Sequence, residues 1–128
     1  MNILSVIIFI RFAQLNCLVR EASGRYQFEV IREGTDLSEP SSVQCSTDVA
    51  SPISATPNED YVHMSERINF GPGQRRGVCS VQIIDDSYYE GNESFHLVLS
   101  QPQGAVLGEP SRSTVTIFDT DSEGMIEP

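Results

Sequence analysis

The chain has 128 residues, with 18 acidic and eight basic side chains and a formal net charge of −10 at pH 7. This length suits one domain with a core of its own, and the acidic excess argues against a nucleic-acid partner, because neutralising phosphates requires clustered Lys and Arg. The three cysteines, Cys17, Cys45 and Cys79, have no Cys-x-x-Cys spacing. The absence of this spacing argues against a zinc site and leaves open whether any of the cysteines form a disulfide.

The first apolar run, Ile3–Ile10, is about eight residues long and ends at Arg11. It is too short to span a bilayer as a helix. A signal-peptide core would have this length, but no Lys or Arg precedes it and no small-x-small cleavage site is obvious. A fragment boundary explains the run equally well. Residues 1–10 are therefore interpreted as an overhang or signal-like segment, and the domain is expected to begin at residue 11.

Beyond residue 11, apolar residues recur with a period of two, which predicts strands rather than amphipathic helices. Seven short runs carry the pattern: Leu15–Val19, Tyr26–Val30, Val43–Cys45, Ile68–Phe70, Cys79–Ile83, Phe95–Leu99 and Val115–Ile117. Turn-forming residues such as Gly, Pro and Asn separate the runs. Seven strands at this spacing predict an all-β, two-sheet antiparallel sandwich, with a closed barrel as the alternative.

Two of the predicted strands end in clustered carboxylates. Asp85, Asp86 and Glu90 follow the fifth run, and Asp119 and Asp121 follow the seventh. A calcium ion takes about six to eight oxygen ligands, and carboxylates at strand ends supply them on stiff backbone. If the two strand ends meet, these residues form one acidic cup. A single aspartate taken alone is more often a solvated surface charge, and magnesium fits less well because it retains its waters.

Nothing in the chain indicates a catalytic centre. A pair of carboxylates across a sugar cleft would suit a glycosidase, but the chain has no Trp and few aromatic residues to build such a cleft. His63 and His96 have no evident nucleophile as a partner. The sequence therefore predicts a protein that is not an enzyme.

The order of several short motifs resembles the Calx-beta domains. The motifs are Val30-Ile-Arg-Glu-Gly34, Asp60-Tyr61, Asn69-Phe-Gly-Pro-Gly73, Ile83-Ile-Asp-Asp86 and Thr114-Val-Thr-Ile-Phe-Asp119. The resemblance runs from about Phe12 to Asp121. It implies a seven-stranded immunoglobulin-like sandwich over residues 11–122, with 123–128 as the start of a linker to a following repeat.

In calcium-binding members of this family the ions lie at one end of the sandwich. Carried over by position, the resemblance implies the metal ligands Glu21, Asp60, Asp85, Asp86, Glu90, Asp119 and Asp121. The strongest calcium binders of the family have three consecutive aspartates in the last motif, whereas this chain has Thr120 in the middle. The departure implies fewer ions or weaker affinity.

The segment Asp36–Thr47 and the cysteine positions resemble the repeats of the Fraser-complex matrix proteins more than the cytosolic loop of sodium/calcium exchangers. In the family's fold Cys45 and Cys79 lie on opposite sheets, so the resemblance allows a disulfide between them, with two buried thiols as the alternative. Cys17 is then expected to stay unpaired. Asn92 begins an N-glycosylation sequon, which has meaning only in a secreted chain.

The resulting hypothesis is a calcium-binding module of the extracellular matrix or of the extracellular face of a membrane protein. Its expected partners are neighbouring repeats of a larger chain and other matrix or adhesion proteins. Bound calcium would rigidify one end of the sandwich and the junction between repeats. The alternatives are an intracellular calcium-sensing domain of a membrane transporter and a structural sandwich whose calcium site has decayed.

Overall fold

Alternating apolar residues give nearly every strand one buried face. The computed structural model describes residues 7–85 and 91–118. The strands are β1 Phe9–Phe12, β2 Asn16–Arg20, β3 Arg25–Glu33, β4 Ser41–Val49, β5 Ser65–Phe70, β6 Arg76–Gln82, β7 Glu93–Gln103, β8 Val106–Leu107 and β9 Arg112–Phe118. A short 3-10 helix, Glu21–Ser23, joins β2 to β3. Over the described residues, no helix is long and apolar enough to cross a membrane.

The strands form two sheets, one of four strands in the order β6-β3-β1-β8 and one of five in the order β2-β9-β7-β4-β5. The predicted two-sheet sandwich is thus confirmed, and the barrel alternative is wrong. Each of the seven predicted runs overlaps a strand, but the count of seven is wrong because β1 and β8 were not predicted. The purely antiparallel prediction is also wrong, since β8 runs parallel to β1 and β9 runs parallel to β2.

Strand β1 begins two residues before residue 11, where the sequence predicted the start of the domain. Ile10 and Phe12 are fully buried in the core, and Phe9 pairs with Glu33 of β3. The first apolar run therefore supplies part of the sandwich from Ile8 onward. Residues 1–6 lie outside the described residues, so the signal-like interpretation of that segment stays a prediction.

A disulfide between Cys45 and Cys79 joins the two sheets through the core. Cys45 lies on β4 and Cys79 on β6, their Cα atoms are 6.5 Å apart, and both side chains are buried. The bridge agrees with the pairing that the family resemblance allowed. Cys17 is a free, half-buried thiol whose Sγ donates to Gln14 Oε1, and burial raises the pKa of this thiol.

Arg32, at the far end of β3, is a fully buried cation. All of its guanidinium nitrogens donate hydrogen bonds of 2.8–3.0 Å. The acceptors are the carbonyl oxygens of Leu37, Glu39, Gly71 and Gln74 and the hydroxyl of Ser41. Arg32 thereby fixes two loops at one end of the sandwich. We call this the distal end, because Arg32 lies seven residues along β3 from Arg25, about 23 Å from the start of the strand that follows the Glu21 helix.

Candidate metal centre

Three of the predicted ligands lie at the end of the sandwich opposite Arg32, which we call the acidic end. Glu21 lies in the 3-10 helix after β2, Asp60 in the turn before β5, and Asp85 just after β6. Two backbone hydrogen bonds join these segments. The N–H of Ile83 donates to the carbonyl of Gly24 at 2.8 Å, and the N–H of Ile84 donates to the carbonyl of Asp60 at 3.0 Å. The end of β6 is therefore held between the other two segments.

Gly24 sets the position of the Glu21 segment. It ends the 3-10 helix with φ +71°, a conformation that residues with a Cβ rarely adopt. The chain then turns directly into β3 at Arg25. Because the carbonyl of Gly24 is also the acceptor for Ile83, one residue both ends the helix and attaches it to β6.

Asp60 is held by a turn of its own. Its Oδ2 accepts the backbone N–H of Thr56 at 2.7 Å, and its own N–H donates to the carbonyl of Thr56 at 2.9 Å. Asn58, with φ +66°, donates its N–H to the carbonyl of Tyr61. These bonds fix the carboxylate of Asp60 from both sides of the turn.

Tyr61 anchors this turn in the core. Its ring is fully buried and stacks on Phe95 of β7, with 4.0 Å between ring centroids, and its backbone bridges to Ile83. Its hydroxyl is buried and has no hydrogen-bond partner among the described residues. Burial raises the pKa of Tyr61, and the carboxylates of Asp48 and Asp60 raise it further. Sequence reasoning used Tyr61 only as part of a motif and missed its anchoring role.

Two of the three carboxylates are almost fully buried. Glu21 and Asp60 are each 6% exposed, whereas Asp85 is exposed. Burying a carboxylate is costly unless a counter-charge or hydrogen bonds compensate it. The salt bridges found among the described residues belong to Glu33, Glu29 and Asp48, and none involves Asp60 or Asp85. A carboxylate such as that of Asp60, buried without a salt bridge, is one that a hard cation such as calcium would compensate.

The last strand also leads to this end. Strand β9 runs parallel to β2 and pairs Phe118 with Arg20, directly before Glu21. The guanidinium of Arg20 lies 5.9 Å from the centroid of the Phe118 ring. The two strands that carry the acidic clusters, β6 and β9, thus end at the same end of the sandwich, as the cup hypothesis requires.

The described residues make only part of the predicted ligand set. Asp86, Glu90, Asp119 and Asp121 lie outside them. Within 7–85 and 91–118, no group of three or more His, Cys, Asp or Glu side chains is arranged to hold a metal ion. The structure therefore brings together the segments that carry Glu21, Asp60 and Asp85, and the complete ligand set stays a prediction.

Each of the two histidines lies within hydrogen-bond distance of a threonine hydroxyl. His63 Nδ1 is 2.6 Å from Thr47 Oγ1, and His96 Nδ1 is 3.3 Å from Thr114 Oγ1. Both contacts are hydrogen bonds to threonine hydroxyls, on β4 and β9 respectively.

Comparison with known proteins places this geometry in a family. A family model described as the Calx-beta domain matches residues 6–121. The mouse extracellular matrix organizing protein FRAS1 is 45% identical over 105 residues, which cover 80% of this chain and 3% of that protein. The sodium/calcium exchanger Calx of Drosophila melanogaster is 32% identical over 108 residues, which cover 84% of this chain and 11% of the exchanger.

A solved structure agrees with both matches. The crystal structure of the calcium binding domain CBD12 of CALX1.1 superposes with a TM-score of 0.80 at 30% identity, covering 88% of this chain and 46% of that chain. The chain thus spans a small fraction of the curated relatives and about half of this solved structure.

Proposed function

The chain belongs to the Calx-beta domain family, and from that premise we propose that it is a calcium-binding, non-enzymatic module of an extracellular-matrix or cell-adhesion protein. One observation carries the proposal. The buried carboxylate of Asp60 and the exposed carboxylate of Asp85 lie on segments joined by a backbone hydrogen bond. The segment of Glu21 is attached to the same place by the hydrogen bond from Ile83 to the carbonyl of Gly24. Such an arrangement concentrates negative charge that a divalent cation would neutralise.

Calcium would be held by carboxylate oxygens from segments that are distant in sequence. Glu21, Asp60 and Asp85 are the described candidates, and the carboxylates that follow β6 and β9 would complete the set: Asp86, Glu90, Asp119 and Asp121. An ion shared by these segments would tie the end of β6 to the end of β9. Because unfolded chain offers no such cage, binding would also stabilise the fold by mass action.

The direction of the chain relates this site to neighbouring repeats. The described chain enters at the distal end, where Phe9 pairs with Glu33, and leaves β9 at the acidic end, where Phe118 pairs with Arg20. In a tandem array the acidic end of one module would therefore face the next module. Calcium there would rigidify the junction as well as the sandwich. Extracellular modules achieve this with dissociation constants of about 0.1–1 mM.

The disulfide supports an extracellular setting. Disulfides form and persist in oxidising compartments and are rare in the cytosol, and the Cys45–Cys79 bridge spans the core of this chain. The 45% identity to a protein named for matrix organisation agrees with that setting. An intracellular calcium sensor, which the exchanger relative suggests, would be expected to keep both thiols reduced.

Isothermal titration of the chain with calcium, at physiological salt and without reductant, tests the proposal. We expect saturable binding in the wild type and a loss of about tenfold or more in affinity for Asp60→Asn, since coordination by a charged oxygen is lost. The asparagine keeps an oxygen for the N–H of Thr56, so the turn is retained. The matched control is Asp36→Asn at the distal end, where Asp36 is exposed and accepts the N–H of Ser38. Equal isotherms for all three proteins would refute the calcium site.

A further inference from the structure

The tripeptide Asn92-Glu93-Ser94, at the start of β7, is an N-glycosylation sequon with an exposed asparagine. We propose that Asn92 carries an N-linked glycan whose first N-acetylglucosamine lies on the outer face of the five-stranded sheet, against Phe118 and Leu18. The proposal rests on the extracellular setting of the proposed function. Asn92 lies at the acidic end, two residues after the proposed ligand Glu90.

The alternation of β7 directs Asn92 away from the core. Phe95 and Leu97 are fully buried between the sheets. Ser94 therefore points to the outer face, where its hydroxyl is 2.8 Å from Thr116 Oγ1 of β9. Asn92 directly precedes the first residue of β7, and extending the alternation by that one residue would give it the outward parity of Ser94. A glycan on Asn92 would then project from the outer surface of the sheet at the acidic end.

The neighbouring strands provide an apolar surface beside this position. Strand β7 begins with Glu93 opposite Ile117, and extending that register by one residue beyond the strand would put Asn92 beside Phe118. Strand β2 pairs Leu18 with Thr116, and Leu18 is 68% exposed. The pyranose ring of N-acetylglucosamine has faces of C–H groups that pack favourably on aromatic and aliphatic side chains. A glycan here would therefore cover apolar surface that is otherwise in contact with water.

The covalent step is ordinary glycosyl transfer from a lipid-linked oligosaccharide diphosphate. The Nδ2 of Asn92 forms a bond to the anomeric carbon of the first sugar and loses one proton. The bond from that carbon to the diphosphate breaks, and the lipid diphosphate leaves with the electron pair. No oxidant or reductant is needed.

The order of synthesis makes the sequon accessible to this transfer. Folded β7 lies between β4 and β9, and Ser94 is engaged by Thr116. Strand β9 follows β7 in the chain, so during synthesis Asn92 enters the secretory compartment before β9 is available to pair with it. Transfer precedes folding, and the folded sheet then holds the glycan on its outer face.

Expression behind a cleavable signal peptide in cells that make high-mannose glycans tests the modification. The proteins are the wild type, Asn92→Gln and the matched variant Ser94→Thr, which keeps both the sequon and a hydroxyl near Thr116. We expect peptide N-glycosidase F to lower the apparent mass of the wild type and of Ser94→Thr by one glycan, with no change for Asn92→Gln. A wild type that migrates with Asn92→Gln would overturn the proposal.

Thiol labelling of the same samples separates this proposal from the proposed function. A wild type with an oxidised Cys45–Cys79 bridge and no glycan would overturn the glycan alone. Free thiols at both cysteines would instead contradict the extracellular setting on which the glycan proposal rests.

Endoglycosidase H, which leaves one N-acetylglucosamine on Asn92, tests the contact with Phe118. We expect the trimmed protein to melt at a higher temperature than Asn92→Gln. The same two proteins are then compared in a Phe118→Ala background, where the difference in melting temperature should disappear. The four proteins form a double-mutant cycle, which isolates the interaction between the sugar and the Phe118 ring. An equal difference in both backgrounds would refute the contact between the sugar and Phe118.

Discussion

The carbonyl oxygen of Asp60 accepts a hydrogen bond from the backbone N–H of Ile84, at 3.0 Å. This bond ties the turn before β5 to the end of β6, directly before Asp85. The relative position of two proposed ligands is thus fixed by backbone, before any ion binds. A site arranged in this way loses less conformational entropy on binding than one built from free loops.

Replacing Gly24 at the acidic end is expected to reduce both stability and calcium binding. Its φ of +71° strains any side chain, although no atom lies within 4 Å of a Cβ placed there. We expect Gly24→Ala to lower the free energy of unfolding by about 1 kcal/mol and to weaken calcium binding. Urea denaturation and calcium titration measure the two effects.

The control for Gly24 is Gly71→Ala at the distal end. Gly71 does not have a positive φ, and its Cβ would make an ordinary contact of 3.8 Å with Gln74 Oε1. We expect calcium affinity equal to that of the wild type in this variant. Equal affinity for calcium in Gly24→Ala as well would show that the helix end does not position the site.

Arg32 is expected to be the most sensitive charged residue of the fold. Lysine keeps the charge but cannot reproduce the planar set of five donors, so Arg32→Lys leaves buried carbonyls without partners. We expect a loss of about 3 kcal/mol or more, measured by urea denaturation. The exposed neighbour Arg75 gives the control, since Arg75→Lys should change stability by less than about 0.5 kcal/mol. Similar stabilities for the two variants would contradict the role assigned to the guanidinium.

The disulfide is expected to contribute to stability independently of calcium. Cys45 and Cys79 are separated by 34 residues, and closing such a loop contributes about 3–4 kcal/mol in the chain-entropy model. We expect Cys45→Ala with Cys79→Ala to lower the free energy of unfolding by that amount, with and without calcium. Cys17→Ala, which removes a free thiol, is the control. A double variant as stable as this control would contradict the contribution of the bridge.

The hydroxyl of Tyr61 is expected to destabilise the fold. Since it is buried without a partner among the described residues, Tyr61→Phe should leave the free energy of unfolding unchanged or raise it by about 1 kcal/mol at neutral pH. The ring stacked on Phe95 is retained, whereas Tyr61→Leu removes it and should be less stable. A marked loss of stability in Tyr61→Phe would show that the hydroxyl has a partner.

Tyr61 also predicts a dependence on alkaline pH. Its pKa is raised in the fold, so the neutral phenol is favoured there and the unfolded chain loses its proton first. Ionisation of Tyr61 therefore costs no stability below the ordinary tyrosine pKa of about 10, and the fold loses stability as pH rises from there through the higher folded value. Tyr61→Phe should therefore lose less stability than the wild type above that pH. Parallel pH profiles for the two proteins would contradict this assignment.

The alternation of apolar residues predicted most of the sandwich, because a half-buried strand imposes it. The alternation did not identify strands whose sequence lacks this pattern. The run Ile3–Ile10 is apolar at nearly every position and hides the buried face of β1, and β8 has only two residues. The parallel pairing of β2 with β9 is set by the topology of the fold, and the alternation of apolar residues in either strand does not indicate it.

The site shows a similar division. The motifs pointed to Glu21, Asp60 and Asp85, and the structure brings their segments together. The backbone bonds that hold these segments depend on no side chain and were not predictable. Arg32 was missed for a different reason. It shares the inward parity of Phe28 and Val30, which was a signal that the cation is buried.

The melting temperature of the chain with and without millimolar calcium tests the central claim most directly. A ligand at 100 times its dissociation constant adds about 2.7 kcal/mol, so we expect a rise of several degrees in the wild type. The side chain of Asp85 is exposed and is a proposed ligand, so the rise in melting temperature should be much smaller in Asp85→Ala. A wild type whose melting temperature is the same with and without calcium, or an Asp85→Ala variant that responds like the wild type, would contradict the calcium site proposed at the acidic end.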